Sequence, residues 1–351
     1  RYESVELKPG VRELLARLRA EGARICLCSN TWADQCRTVL RRLGVLDDFE
    51  FIVEAQGALH KSRPEVFAQC MERLGGADPA ACAVCEDAIY AASTAQKAGY
   101  YVIGRITAFN DPNLAADHPE CVVADLSGRP LKIGGMYWPS VYSRQVWQYK
   151  VDLALEAAEA MGFNEIQFDY VRFPDGTWDY DEAGTIDYHN DNDESKAQAV
   201  QRFLQYAADR LHGAGVYVSA DVFGECAEKY VTAYGQYWAA ISGVVDAISA
   251  MPYPDHYSAS GSWLPWEHPY ETMKTFGEKA AARQQETPSP AAVRTWIQCY
   301  NAIREPYNTY GPDEIAAQIR ALNDTGNTGG YMTWNAASSL DKYRYVSGVL
   351  N

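Results

Sequence analysis

The chain has 351 residues, with 46 acidic against 31 basic side chains and a formal charge of -15. At 47% apolar and 22% charged residues it has the composition of a globular protein long enough for roughly two domains. The negative charge argues against a nucleic-acid reader, which needs a basic stripe to displace counterions from phosphates. No apolar run approaches the ~20 residues of a membrane span, and Arg1-Tyr2-Glu3-Ser4 lacks the basic-then-apolar layout of a signal peptide. The expectation for the chain as given is therefore cytoplasmic; it does not begin with Met, which leaves room for an upstream portion.

The first hundred residues alternate helix and strand signals. Val11, Leu14, Leu15 and Leu18 form one apolar stripe, predicting a helix over Val11 to Ala20. A buried strand follows at Ala23–Ser29, a helix at Ala33–Leu43, strands at Phe49–Val53 and Ala83–Glu86, and helices at Pro64–Leu74 and Ala88–Ala98. From Tyr101 the spacing predicts strands at Tyr101–Arg105, Glu165–Val171, Val216–Phe223, Ala247–Tyr253, Arg294–Tyr300 and Gly330–Trp334. Helices are expected at Ser143–Met161, Glu194–His212, Ala227–Ile241, Tyr270–Gln285, Pro312–Asn323 and Ser338–Leu350. The fold class is α/β with parallel βα units. Six strand-then-helix units favour a (β/α)8-type barrel, incomplete or hybrid, with its site at the C-terminal strand ends.

Seven of nine cysteines (Cys26, Cys28, Cys36, Cys70, Cys82, Cys85 and Cys121) lie in the first 121 residues. Alternation puts Cys26 and Cys28 on one strand face, and Cys82-Ala83-Val84-Cys85 has no second pair at zinc spacing. Buried structural thiols are the expectation.

Val5 to Gly104 resembles the haloacid dehalogenase-like hydrolases, in their phosphatase and phosphoglucomutase branch. The resemblance rests on Leu7-Lys8-Pro9-Gly10-Val11, Cys28-Ser29-Asn30, His60-Lys61-Ser62-Arg63-Pro64 and Cys85-Glu86-Asp87 followed by Ala95-Gln96-Lys97-Ala98-Gly99. It implies phosphate binding by Ser29, Asn30 and Lys61, and Mg2+ held by Glu86 and Asp87. The family's DxDxT motif, which carries the attacking aspartate, is nowhere in the chain. No phospho-aspartyl intermediate, and hence no phosphatase activity, is expected.

Residues from about Tyr101 to Asn351 resemble a bacterial domain family described as glycoside hydrolases with a TIM-type barrel. The carrying blocks are Phe168-Asp169-Tyr170-Val171-Arg172-Phe173-Pro174, Ser219-Ala220-Asp221-Val222-Phe223-Gly224, Met251-Pro252-Tyr253-Pro254-Asp255-His256-Tyr257, Trp296-Ile297-Gln298 and Gly330-Tyr331-Met332-Thr333-Trp334-Asn335. The family's barrel begins with two further βα units, whose place is taken here by the dehalogenase-like, Rossmannoid segment. The expectation is a fusion of two truncated domains, 1–100 and 101–351. Ala23–Cys28 and Ala83–Glu86 are candidates to complete the barrel, leaving Phe49–Val53 as an extra strand. A direct ladder is expected between Ala83–Glu86 and Tyr101–Arg105, since one helix of about eleven residues joins them.

Alternation places Gln167, Asp169 and Val171 on one face of their strand and Ile166, Phe168 and Tyr170 on the other. Asp169 has Arg172 nearby as an ion-pair partner and as a substrate contact. Asp221 repeats the arrangement one strand later, about 4.8 Å away, close enough for a retaining glycosidase pair. The layout is similar to that of the alpha-amylase clan, which implies Asp169 as nucleophile and Asp221 as acid/base. The acid there is usually Glu, so Asp221 is one methylene short and a structural role is the alternative. Tyr253, His256, Gln298, Trp334 and Asn335 are candidates for stacking on and bonding to sugar, with core packing as the alternative. The stretch from Asp175 to Glu194 holds eight carboxylates and no Lys or Arg. Counted from Asp179 as a calcium loop, it has Gly184 at six but Asn190 at twelve, so a solvated acidic loop is expected. The functional expectation is cofactor-free O-glycoside hydrolysis of a poly- or oligosaccharide. A non-catalytic carbohydrate-binding barrel, or residual phosphate and Mg2+ binding, is the alternative, and carbohydrate is the expected partner.

Overall fold

In a computed structural model, residues 7, 11–20, 23–29, 31–56, 61, 64–76, 101–327, 329–337 and 339–350 are described. The chain divides into two compact units, Arg1–Val102 with Glu159–Asn164, and Ile103–Ala158 with Glu165–Asn351.

In the first unit the order is α1 (Val11–Ala20), β1 (Cys26–Ser29), α2 (Ala33–Arg42), β2 (Phe51–Glu54) and α3 (Pro64–Arg73). β1 and β2 pair in parallel, Cys26 opposite Phe51. Phe51–Glu54 is thus the partner of Cys26–Ser29 and not a leftover strand. Alternation sorts the side chains: Cys26 and Cys28 pack with Val53, Val66, Phe67 and Cys70, while Leu27 packs with Ala33, Cys36 and Ile52. Among the described residues, Cys26, Cys28, Cys36, Cys70, Cys121, Cys226 and Cys299 are thiols outside any disulfide. The expected strand Ala83–Glu86, the helix after it and the ladder from Ala83–Glu86 to Tyr101–Arg105 lie outside the described residues.

The second unit is built on parallel strands taken in chain order: β3 (Ile103–Thr107), β4 (Glu165–Asp169), β5 (Tyr217–Phe223), β6 (Ala247–Met251) and β7 (Ala292–Val293). One residue, Arg294, separates β7 from β8 (Thr295–Gln298), which pairs with β9 (Tyr331–Trp334). All six expected strands are present. Among the described residues no ladder joins β9 to β3. Long helices follow the strands: α4 (Arg144–Met161) precedes β4, α5 (Lys196–Gly213) precedes β5, and α7 (Pro269–Glu286) and α8 (Pro312–Asp324) precede β7 and β9. Ser195 and Gln198 form a capping box that starts α5, and prolines open α7 and α8, where a missing N–H is harmless.

The outward face of β4 meets the helices. Phe168 packs edge-on to Phe203 of α5 at 5.3 Å, and Phe203 also meets Phe109 and Trp147. The inward face is polar in layers. Glu165 accepts from Ser219 and Arg294; one layer up, Gln167 donates to Ser249 at 3.3 Å and lies 3.7 Å from the Met332 sulfur.

Three expectations are corrected. The helix expected at Ala227–Ile241 is a 3-10 turn at Gly224–Ala227 and a short α6 at Trp238–Ser242. Between them Thr232 and Gln236 close a turn, with Gly235 at φ 86° against the Lys196 backbone, and that left-handed residue stops a helix. β4 ends at Asp169 because Tyr170 takes φ 51°, so Val171 does not continue the strand face. The acidic stretch is anchored: Trp178–Ala183 is helical, and Ile186–Asp187 pairs with Ala124–Asp125. Asp181 binds Tyr188 and Lys196, and buried Glu194 sits between Arg144 and Arg202.

The Glu165–Arg294 pair yields a stability prediction. Replacing Arg294 with Met leaves a buried carboxylate without its cation, which should cost about 3–5 kcal/mol in denaturant titration. Adding Glu165→Gln should recover part of the loss. A loss within about 0.5 kcal/mol, the size of an ordinary surface substitution, would contradict the pairing.

Candidate active site

Parallel strands in register bring residues of equal height to one rim, and the C-terminal rim gathers the acidic pair. Gln167 of β4 is opposite Ser219 of β5, so Asp169 and Asp221, two residues on, stand at one level. Between them reaches Arg105 from β3, whose Nε donates to Asp221 Oδ2 at 3.1 Å and whose Nη2 donates to Asp169 Oδ2. Asp221 Oδ1 accepts from Trp296 Nε1 at 2.8 Å, and Asp169 Oδ1 from the Tyr170 N–H at 2.7 Å. The Tyr170 backbone turn, left-handed in a bulky residue, is the strained position that aims this N–H back at the carboxylate. Arg105 also lies 5.0 Å from the Trp334 ring centroid, and Trp334 meets Trp296 edge-on at 5.7 Å.

The electrostatics separate the two acids. Complete burial and the neighbouring Asp169 charge push Asp221 from its ordinary 3.8 up to about 7, against the pull of Trp296 and Arg105. Burial also raises Asp169, opposed by Arg105, the Tyr170 N–H and Arg172. The pair is a dyad that takes up one proton readily. Tyr253, just past β6, keeps its hydroxyl proton: burial and the charges of Asp221, Tyr300 and Asp169 raise it above the usual range.

The candidate residues fall into distinct roles. Tyr253 meets His256 at 5.3 Å and Tyr300 at 6.1 Å between centroids. His256 Nδ1 is 2.8 Å from the buried Asp255 Oδ1, which also accepts from the Tyr300 hydroxyl at 2.9 Å. Arg172 does not pair with Asp169. It donates to Asp175 at 2.9 Å and lies over the rings of Phe223, Tyr170 and Trp138. Gln298 is wholly buried, accepting from the Asp255 N–H and donating to the Tyr300 carbonyl. Asn335 donates to the Cys299 carbonyl and accepts from the Ala337 N–H. Both amides are thus engaged within the protein.

Arg105 and Trp296 complete the site, and sequence reasoning did not single them out. The signal was present: Arg105 alternates with Ile103 and Thr107 in an otherwise apolar strand, and Trp296 precedes Gln298 by one alternation. In the first unit, Ser29 ends β1 and its hydroxyl accepts from the Thr31 N–H at 3.1 Å; Lys61 lies in a turn. Asn30, Glu86 and Asp87 lie outside the described residues. Among the described residues no group of three or more His, Cys, Asp or Glu side chains could hold a metal ion. No helix among them is long and apolar enough to cross a membrane.

Parallel βα units with polar side chains gathered at the C-terminal strand ends are the layout in which barrel-type enzymes carry their sites. Residues 75–340 match the family described as "Putative glycosyl hydrolase domain", and the chain belongs to that family. Residues 1–99 match the haloacid dehalogenase-like hydrolases. The chain is 34% identical over 113 residues to the beta-phosphoglucomutase of Bacillus subtilis, covering 32% of this chain and 48% of that protein. It is 29% identical over 133 residues to hexitol phosphatase B of Escherichia coli, covering 37% and 60%. The chain thus spans about half the length of the curated relatives it matches. The structure is similar to the PgaB (BpsB) glycoside hydrolase domain of Bordetella bronchiseptica at TM-score 0.48 and 15% identity, covering 73% of this chain and 78% of that one.

The raised Asp221 pKa makes stability depend on pH. The folded protein binds this proton more tightly than the unfolded chain, so the contribution is full below about 4 and is lost as pH rises towards about 7. Asp221→Asn, which mimics the protonated form, should gain stability relative to the parent progressively over that window and then level off. Parallel stability curves for the two proteins across pH 4–8 would disprove the shift.

Proposed function

We propose that the unit built on β3–β9 hydrolyses an O-glycosidic bond of a poly- or oligosaccharide, with Asp169 as nucleophile and Asp221 as acid/base. The observation that carries this reading is the dyad itself: two carboxylates on adjacent strand ends share one guanidinium, and one is held near pKa 7. Asp221 gives its proton to the leaving oxygen while Asp169 attacks the anomeric carbon. Water then cleaves the glycosyl ester, with Asp221 taking its proton back. Arg105 is the gate in this scheme. Its side chain is 34% exposed against 6% for Asp169 and 0% for Asp221, so sugar reaches the carboxylates only when the guanidinium swings aside. Trp334 already flanks the guanidinium in its closed position, 5.0 Å from it, and Tyr253 and His256 border the path.

The same closed cluster favours one rival, a barrel that binds saccharide without cleaving it. Turnover separates the two. Asp169→Asn should abolish hydrolysis while leaving the fold largely intact, as read by kcat on an oligosaccharide panel and by circular dichroism. In the parent, kcat/KM should fall as pH rises above about 7, because the acid must be protonated. Parent-like turnover by Asp169→Asn would overturn the assignment.

For the 1–102 unit we propose anion binding at Ser29 and Lys61 without phosphomonoester hydrolysis, since no DxDxT aspartate is present in these residues. Mg2+ at Glu86 and Asp87 is part of the same proposal; their oxygens suit a hard cation. This chain should release no phosphate from a generic monoester in the presence of Mg2+. Release that Lys61→Ala abolishes would prove the opposite.

A further inference from the structure

A second concavity lies on the same face, between the loops after β5 and β6 and the helix α7. It encloses about 260 Å³, somewhat less than the ~300–1,000 Å³ of pockets for drug-sized ligands, so it suits one or two small rings. The dyad does not use it.

Its floor depends on the absence of a side chain. A Cβ at Gly224 would come 2.3 Å from the Tyr257 hydroxyl and 2.9 Å from the Pro252 Cα, so only glycine lets Tyr257 settle there beside Phe276. The rim carries Trp263, 41% exposed, on a turn closed by two reciprocal 3.0 Å backbone hydrogen bonds with Ser260. The indole lies flat on His268, 3.8 Å between centroids and 7° between planes. It is therefore a fixed platform rather than a loose surface ring. Glu228, held by Lys279, and Thr275 also line the cavity. An aromatic plane backed by a second ring, sharing one cavity with a carboxylate and a threonine, suits a pyranose: a C–H face for the indole and hydroxyls for the polar groups.

Resting on the glycosidase reading above, we infer that this cavity is a second sugar-binding subsite, which holds one or two units of the saccharide with Trp263 as its stacking platform. Gly224 follows Asp221 by three residues, at the end of the strand that carries the acid, so the subsite and the dyad share one face.

The test uses the full chain and pentasaccharides derived from cellulose, xylan and chitin, with binding read by calorimetry. In the Asp169→Asn background, which removes turnover, adding Trp263→Ala should weaken the dissociation constant of the bound pentasaccharide at least about tenfold. Trp263→Phe should return it to within about threefold, since a smaller ring still stacks. Equal affinities for the alanine variant and its background overturn the subsite, and so does failure of all three pentasaccharides to bind. Trp263-dependent binding with no turnover by the parent supports the subsite and sinks the glycosidase reading. Turnover by the parent with Trp263-independent binding sinks the subsite alone.

Discussion

Two carboxylates at the ends of neighbouring strands repel one another, and burial compounds the cost of ionising both. Arg105 offsets this by placing one guanidinium edge against one oxygen of each. A lysine in its place would present a point charge without the flat fork that fixes two acceptors. The rest of the rim follows from that placement. Trp296 takes the free oxygen of Asp221, Tyr170 bends its backbone to take that of Asp169, and Trp334 supplies the ring against which the guanidinium rests. Each acid accepts two such bonds, and the asymmetry between them lies elsewhere: Asp169 keeps a sliver of exposure, while Asp221 has none and feels Asp169 as a like charge.

Beneath the rim, alternation along β4 converts a strand into three inward layers. Glu165, Gln167 and Asp169 project inward at successive heights, and each finds partners from other strands. Ile166 and Phe168, projecting outward, meet the helices. The division is steep: Ile166 and Phe168 are fully buried in an apolar layer, while residues one step away bury charge. Because each polar side chain finds a partner on another strand, the interior demands correct register, and a slip of one residue would turn every carboxylate into the helix layer.

Much of this was legible from residue order. Periodicity located the six strands of the second unit and most of the helices, because each strand is a short apolar run with an obvious helix beside it. Asp169 and Asp221 could be paired on paper since both follow the same inward alternation on neighbouring strands. The partner of Asp169 could not. Arg172 is three residues away and Arg105 sixty-four, yet Arg172 is drawn off by Asp175 and a cage of three rings, and contact across parallel strands leaves no trace in local spacing. Gln298 and Asn335 stayed open between two readings for a related reason: an amide near a strand end reads the same whether it faces a sugar or its own loop, and here both are bonded within the protein. The expected helix from Ala227 failed because Thr232, Gly235 and Gln236 form a turn stabilised by contacts with β5 and with the Val171 carbonyl just past β4, and no helical propensity scale carries that information.

The Glu165–Ser219–Arg294 contact has a consequence for how such a βα unit can diverge. Its three members come from β4, from β5 and from the single residue between β7 and β8. Exchanging one βα module for that of a foreign barrel would separate the acid from its cation and leave whichever remained buried and uncompensated. Drift at these positions must be concerted, so 165, 219 and 294 should covary as one character. The smallest block that can be inherited or grafted intact is therefore the arc from β4 through β8, well over a hundred residues long, and not the repeating module that the architecture suggests.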